Sequence, residues 1–168
     1  MWGIVGRPTA VNDHSNANGE GALATFRGSY QHSIDHKGRI SIPARFRKLL
    51  SGDASDTFIV LRGLETCVAV YPLDEWRRME ERLRSRSFHD ETNRRFLRIM
   101  SLDLNEGTLD AQGRVAIPPR LLTHASLTKD AMVNGVVDHI EIWDPARFDE
   151  YLKNSNRSYE DMAGELLL

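Results

Sequence analysis

The stretch DHKGRISIPARF, residues 35–46, returns as DAQGRVAIPPRL at residues 110–121. Superposed, Asp35 falls on Asp110, Gly38 on Gly113, Arg39 on Arg114, Ile42 on Ile117, Pro43 on Pro118 and Arg45 on Arg120. The match resumes downstream after a three-residue deletion, where VLRGLETCVAVYPLDEW (60–76) lies over MVNGVVDHIEIWDPARF (132–148). Gly63 then meets Gly135, Tyr71 meets Trp143 and Trp76 meets Phe148. Self-similarity of this kind means two copies of one structural unit. A unit of roughly 45 residues supplies too little core to stand alone. The copies are therefore expected to pack on each other around a pseudo-two-fold axis.

Within the first copy, SYQHSI (29–34) and GRISI (38–42) alternate apolar with polar residues, and Asp35-His36-Lys37-Gly38 between them is turn chemistry, which predicts a hairpin. Asp35 can bond back to the backbone of its own turn, and Gly38 can take a positive φ at little cost. Pro43 suits the first turn of a helix, which ARFRKLL continues and Ser51-Gly52-Asp53 ends. TFIVL (57–61) and TCVAVY (66–71) read as two strands joined by a turn at 62–65, followed by a helix opening at Pro72-Leu73-Asp74-Glu75. The second copy repeats this β-β-α-β-β-α order with LNEGTL, GRVAI, PRLLTHA, AMVNG, HIEIW and PARFDEYLKN.

The expected fold is α+β and mainly β. Repeat 1 is placed at 29–76, an arginine-rich helical connector at 77–104, repeat 2 at 105–148, and a C-terminal helix and tail at 149–168. Residues 1–24, rich in Asn, Gly and Ala without periodicity, read as a flexible extension. Between 74 and 98 there are eight Arg against six Asp or Glu. Their spacing predicts a solvated helical face with i, i+4 pairs such as Glu80 with Arg84, a second polyanion contact being the alternative. Phe96, Ile99 and Met100 are expected to pack inward or against a neighbour.

Composition is that of an ordinary soluble domain, with 40% apolar and 27% charged residues in 168. Cys67 is the one cysteine and sits in an apolar alternation, so it reads as a small core residue in a reducing compartment. No apolar run approaches the ~20 residues that span a bilayer, and no signal peptide is evident, so a cytoplasmic protein without membrane contact is expected. The histidines at 14, 32, 36, 89, 124 and 139 lack ligand spacing, and no metal or other cofactor is expected. Neither a Gly-rich phosphate loop nor a nucleophile elbow is present, and Asp74 and Glu75 suit the opening of a helix; an enzyme is not expected.

The net charge of -2 conceals a gradient. Residues 26–50 hold six basic residues (Arg27, Lys37, Arg39, Arg45, Arg47, Lys48) against Asp35 alone, whereas residues 129–168 hold four basic and nine acidic ones. Such asymmetry points to a polyanion-binding face on the first copy.

FRGSYQHSIDHKGRISIPARFR, the second DAQGRVAIPPRL, and the YPLDEW and IWDPARFDEYL segments together closely resemble the MraZ family of bacterial transcriptional regulators, which carry a doubled SpoVT-AbrB-like fold. The resemblance covers about residues 26–153 and includes the D-x-x-x-R signature twice, Asp35 to Arg39 and Asp110 to Arg114, each followed by an I-P-x-R helix start. It implies a swapped-hairpin barrel with added helices and a homo-oligomeric, octamer-like ring. It also implies binding to repeated double-stranded DNA boxes upstream of the protein's own operon in the division and cell-wall gene cluster, with repression as the usual outcome and a nucleoid-associated location. One departure is that Thr25 stands where such chains generally begin with Met, with 24 residues before it.

Affinity for duplex DNA comes mainly from Lys and Arg set against phosphates. Lys37 and Arg39 project from a tight turn, and the planar fork of Arg39 suits the O6 and N7 edge of a guanine. Lys37, Arg27 and Arg45 are expected at phosphates, and His36 faces solvent beside Lys37 with a pH-dependent contact as the alternative. Asp35 either orients Arg39 for DNA or forms an internal ion pair that holds the barrel. In the second copy Ala111-Gln112 replace His36-Lys37, so Arg114 is expected without a cationic neighbour and that copy chiefly serves the ring, with a phosphate contact by Arg114 as the alternative. Weak grips linked at high effective concentration add up, which makes the ring part of the binding. A scaffold that binds another protein through the acidic C-terminal half is the competing expectation.

Overall fold

The structure, a computed structural model, describes residues 25–167; the expected extension over 1–24 lies outside them. Repeat 1 contributes β1 (Phe26–Ser33), β2 (Arg39–Ser41), α1 (Ala44–Arg47), a 3-10 turn at Gly52–Ala54, β3 (Thr57–Arg62), β4 (Cys67–Pro72) and α2 (Leu73–Arg84). After α3 (Glu91–Asp103) come β5 (Asn105–Thr108), β6 (Arg114–Ala116), α4 (Pro119–His124), β7 (Asp130–Val137), β8 (His139–Trp143), α5 (Pro145–Lys153) and α6 (Tyr159–Leu167). The fold is α+β and mainly β, and each half follows the β-β-α-β-β-α order. Where a helix and a tail were expected at the C-terminus, two helices stand.

The predicted hairpin of the first copy does not form as a ladder. Its turn closes, with Gly38 N–H donating to Asp35 O at 2.9 Å, but beyond one bridge between Ile34 and Ile40 the two arms part. β1 pairs antiparallel with β7 over its whole length, and β2 pairs with β6. The partner of each arm therefore lies in the other copy. The reason is burial: the inward residues of β1 and β2, Phe26 and Ile40, reach a shared core only if the arms open.

Six strands make one antiparallel sheet in the order β1-β7-β8-β4-β3-β5, and β2 with β6 make a second, two-stranded one. The order is palindromic. Ile40 faces its own counterpart Val115 across β2–β6, and Ala69 faces its counterpart Glu141 across β4–β8. The pseudo-two-fold axis runs through these two pairs. Among the described residues, only β3–β4 and β7–β8 are ladders within a copy; β1–β7, β4–β8, β3–β5 and β2–β6 all join one copy to the other.

Strand alternation sorts side chains to two faces. Phe58 and Val60 of β3, Val68 and Val70 of β4, and Ile140 and Ile142 of β8 point to the main core, where they meet Ile40, Ile42, Phe46, Val115, Ile117 and Leu121. Ile59, Leu61 and Ala69 point to the opposite face, which α2 and α3 cover with Trp76, Met79 and Met100. Cys67 is buried, and burial together with the charges of Glu141 and Glu65 pushes its thiol up to about 12, so it stays protonated. On α2 the expected Glu80–Arg84 pair is not made; Arg78 instead meets Glu75 at 2.9 Å, because Glu75 is the acid buried beside Trp76. Among the described residues, no helix is long and apolar enough to cross a membrane.

Phe46 locks α1 to the sheet, standing edge-on to Phe26 and to Tyr30 with ring centroids 5.3 Å apart in each case. It is fully buried. Phe46→Ala is expected to cost about 3–5 kcal/mol, read as a shift of the urea unfolding midpoint.

Candidate nucleic-acid interface

Both D-x-x-x-R turns are built alike. Asp35 Oδ1 accepts from the backbone N–H of Lys37 at 2.9 Å and of Arg39 at 3.0 Å, and Asp110 Oδ1 accepts from Gln112 and Arg114 at the same two distances. Gly38 and Gly113 take φ of +73° and +74°, a region where a side chain is strained. Each aspartate thus ties down its turn and turns its other oxygen toward an arginine. Arg39 Nε donates to Asp35 Oδ2 at 2.8 Å, and Arg114 Nε to Asp110 Oδ2 at 2.9 Å.

The pairing of β2 with β6 brings the two turns side by side, and the ion pairs cross over. Arg114 Nη1 lies 3.3 Å from Asp35 Oδ2, and Arg39 Nη1 lies 3.6 Å from Asp110 Oδ2. Four charges form a neutral quartet whose side chains are 22–30% exposed. At that exposure solvent screens each pair, so its main effect is to fix orientation. Asp35 thus fixes the direction of the Arg39 side chain and makes an ion pair with Arg114 of the other copy.

The other candidates lie apart from this quartet to different degrees. His36 and Lys37 are exposed at the tip of the first turn, and Arg45 is exposed on α1. Arg27 is exposed too, but it stands opposite Val136 at the far end of β1 from the turn. Arg47, which the sequence pattern does not mark as a site residue, stands beside the second turn. Its guanidinium lies against Gly113, where an added Cβ would sit 2.7 Å from Cζ, and its Nε donates to Ile42 O at 3.1 Å. Arg114 therefore does have a cationic neighbour, supplied by the first copy, which corrects the expectation drawn from Ala111-Gln112. The signal was a mismatch between copies, since Arg47 and Lys48 fall where Leu122 and Thr123 stand.

Electrostatics separate the copies further. None of Arg27, Lys37, Arg45, Arg47 and Lys48 takes part in an ion pair among the described residues. Arg120, the counterpart of Arg45, has its Nε 2.6 Å from Oδ1 of the buried Asp103, whose Oδ2 lies 3.2 Å from Arg62 Nε. Neither N–H is aimed at its oxygen, so charge rather than a well-formed hydrogen bond holds this triad.

A family described as "MraZ protein, putative antitoxin-like" matches residues 25–99 and again residues 100–168. The chain belongs to the MraZ family. Relatives called "Transcriptional regulator MraZ" are 40% identical over 142 residues in Pediococcus pentosaceus, 38% over 142 in Natranaerobius thermophilus and 41% over 141 in Alkaliphilus metalliredigens. Each alignment covers 84% of this chain and 96% of the relative. The division between the two MraZ matches falls inside α3, the helix that joins the halves.

In this MraZ chain the turn acids titrate low. The Arg39 backbone N–H bonded to Asp35 holds its carboxyl down at about 2, with the Lys37 N–H and the Arg39 side chain adding to the effect. The Arg114 side chain likewise lowers Asp110. A depressed folded-state value means that the contribution of Asp35 to stability is present above the ordinary carboxylate range near 4 and is lost as pH falls through about 2. A carboxyl NMR titration is expected to show Asp35 half-protonated near pH 2 in wild type, and the first turn to loosen at neutral pH in Asp35→Asn.

Proposed function

We propose that the protein is a sequence-specific, double-stranded DNA-binding transcriptional regulator. The observation that carries this reading is the set of exposed, unpaired cations of the first copy, Lys37, Arg45, Arg47 and Lys48, around a neutral quartet that presents Arg39. Arg39 directs Nε, Nη1 and Nη2 at carboxylates, which leaves two of its five N–H donors for a base edge or a phosphate. Lys37, Arg45, Arg47 and Lys48 serve phosphates, with His36 beside them, while Arg27, at the far end of β1, makes a peripheral contact. The name shared by the relatives supports the regulatory part.

The finer parts of the proposal follow the family resemblance. They are a swapped-hairpin barrel as the repeating unit, a ring-shaped homo-oligomer of octamer-like size, and repeated boxes upstream of the protein's own operon as its targets. Repression in a nucleoid-associated state completes the reading. The interleaved ladders between copies support the first of these. One turn offers few contacts, so several turns in one assembly, matched to repeated boxes, supply the affinity.

The test is a mobility-shift series on the chain's own upstream DNA at several salt concentrations. Arg39→Ala is expected to weaken binding by ten- to a hundredfold, the equivalent of about 1–3 kcal/mol. Lys37→Ala is expected to weaken all sequences alike and to lower the salt slope by about 1. Arg114→Ala breaks the quartet as well but removes no first-copy cation, and a smaller effect is expected. Equal losses in Arg39→Ala and Arg114→Ala would assign both arginines to structure rather than to DNA.

A further inference from the structure

Arg45 and Arg120 stand six residues beyond Arg39 and Arg114, at matching places on either side of the quartet. Among the described residues Arg120 meets an acid and Arg45 does not. That acid is Asp103, at the end of α3 and only 2% exposed. Its two oxygens lie against Arg120 and Arg62, whose side chains remain 64% and 45% exposed. A buried carboxylate depends on such cations, because removing them leaves an uncompensated charge out of water.

Strand register identifies what replaces this triad in the first copy. Thr108 of β5 faces Thr57 of β3, and its counterpart Ser33 of β1 faces Asp130 of β7. Thr57 thus answers to Asp130 and, five residues on, Arg62 answers to Gly135, one position away from the superposition of the sequences. Asp103, seven residues before Asp110, answers to Gly28, seven residues before Asp35. Gly28 and Gly135 are register partners, so two glycines face each other where the second copy sets an acid against an arginine. Neither place accepts a side chain freely. Gly28 takes a φ of +98°, and a Cβ on Gly135 would sit 2.7 Å from Arg27 N and from Phe26 C. The first copy therefore offers no carboxylate where Asp103 stands in the second.

We propose that Asp103 is a charge lock that keeps Arg120 from duplex phosphates, so that Gly28 in one copy and Asp103 in the other set which half of the chain grips DNA. A cation already neutralised by a protein carboxylate releases few counterions when it meets a phosphate. Drawing Arg120 toward DNA would also leave the buried Asp103 with Arg62 alone. Asp103 is thus a positioning residue that acts through Arg120. The inference rests on the DNA binding proposed above and assigns its asymmetry to one carboxylate.

The test is the salt dependence of binding to the chain's own upstream DNA, read by fluorescence anisotropy on the full chain. Asp103→Asn keeps the shape of the side chain and frees two arginines that water already reaches, so it is expected to fold. It is expected to bind about five- to tenfold more tightly at low salt, with the log–log salt slope steeper by about 0.9 for each phosphate gained. Asp103→Asn with Arg120→Gln is expected to return to the wild-type slope. Arg120→Gln alone is expected to leave that slope unchanged, whereas Arg45→Gln flattens it. A folded Asp103→Asn protein with the wild-type slope, a double variant that stays steep, or equal losses in Arg120→Gln and Arg45→Gln would each overturn the lock. The last comparison decides by itself where Asp103→Asn does not fold. A wild-type protein without salt-dependent binding to the duplex would overturn the reading beneath it.

Discussion

Two reciprocal backbone bonds, Ile42 N–H to Gly113 O at 3.0 Å and Ile117 N–H to Gly38 O at 2.9 Å, tie each turn to the strand of the opposite copy. They are possible because both glycines take a positive φ and because β2 and β6 are only three residues long, which leaves the turns close enough to meet. Once that pairing is fixed, β1 and β5 can only find partners in β7 and β3, and the apolar halves of both copies close on one core. The quartet of Asp35, Arg39, Asp110 and Arg114 is the polar consequence of the same approach. Its carboxylates hold two guanidiniums in place, and under the proposed DNA contact that order lowers the entropy cost of binding.

A symmetric scaffold then carries an asymmetric surface. Arg45 makes no ion pair among the described residues, where its counterpart Arg120 is held against Asp103, and Arg47 and Lys48 replace Leu122 and Thr123. Arg47 reaches across to the second turn, so cationic character from one copy borders both turns. The acidic residues gather at the other end of the chain, on α5 and α6. The two copies share one frame, and differences at a few exposed positions leave the first copy basic and the C-terminal stretch acidic.

Much of this was legible in the chain because repeats are read from identities rather than from propensities. The turn residues Asp35, Gly38, Asp110 and Gly113 announce themselves through chemistry that few other residues can provide, and the order of elements followed from alternation and from Pro43, Pro72 and Pro118. What alternation cannot state is the partner of a strand. SYQHSI and GRISI read equally well as a hairpin or as two edges awaiting another copy, and only the size of the shared core decides between them. The role of Arg47 was hidden for a related reason, since its neighbour Gly113 is sixty-six positions away in sequence and adjacent only after β2 meets β6.

Native-state hydrogen exchange tests the interlocking of the copies most directly. If the two halves stand or fall together, the amides of Ile42 and Ile117, and those along β4–β8, exchange with one common free energy equal to that of global unfolding. Amides of one copy exchanging through an opening that leaves the other copy protected would contradict the account.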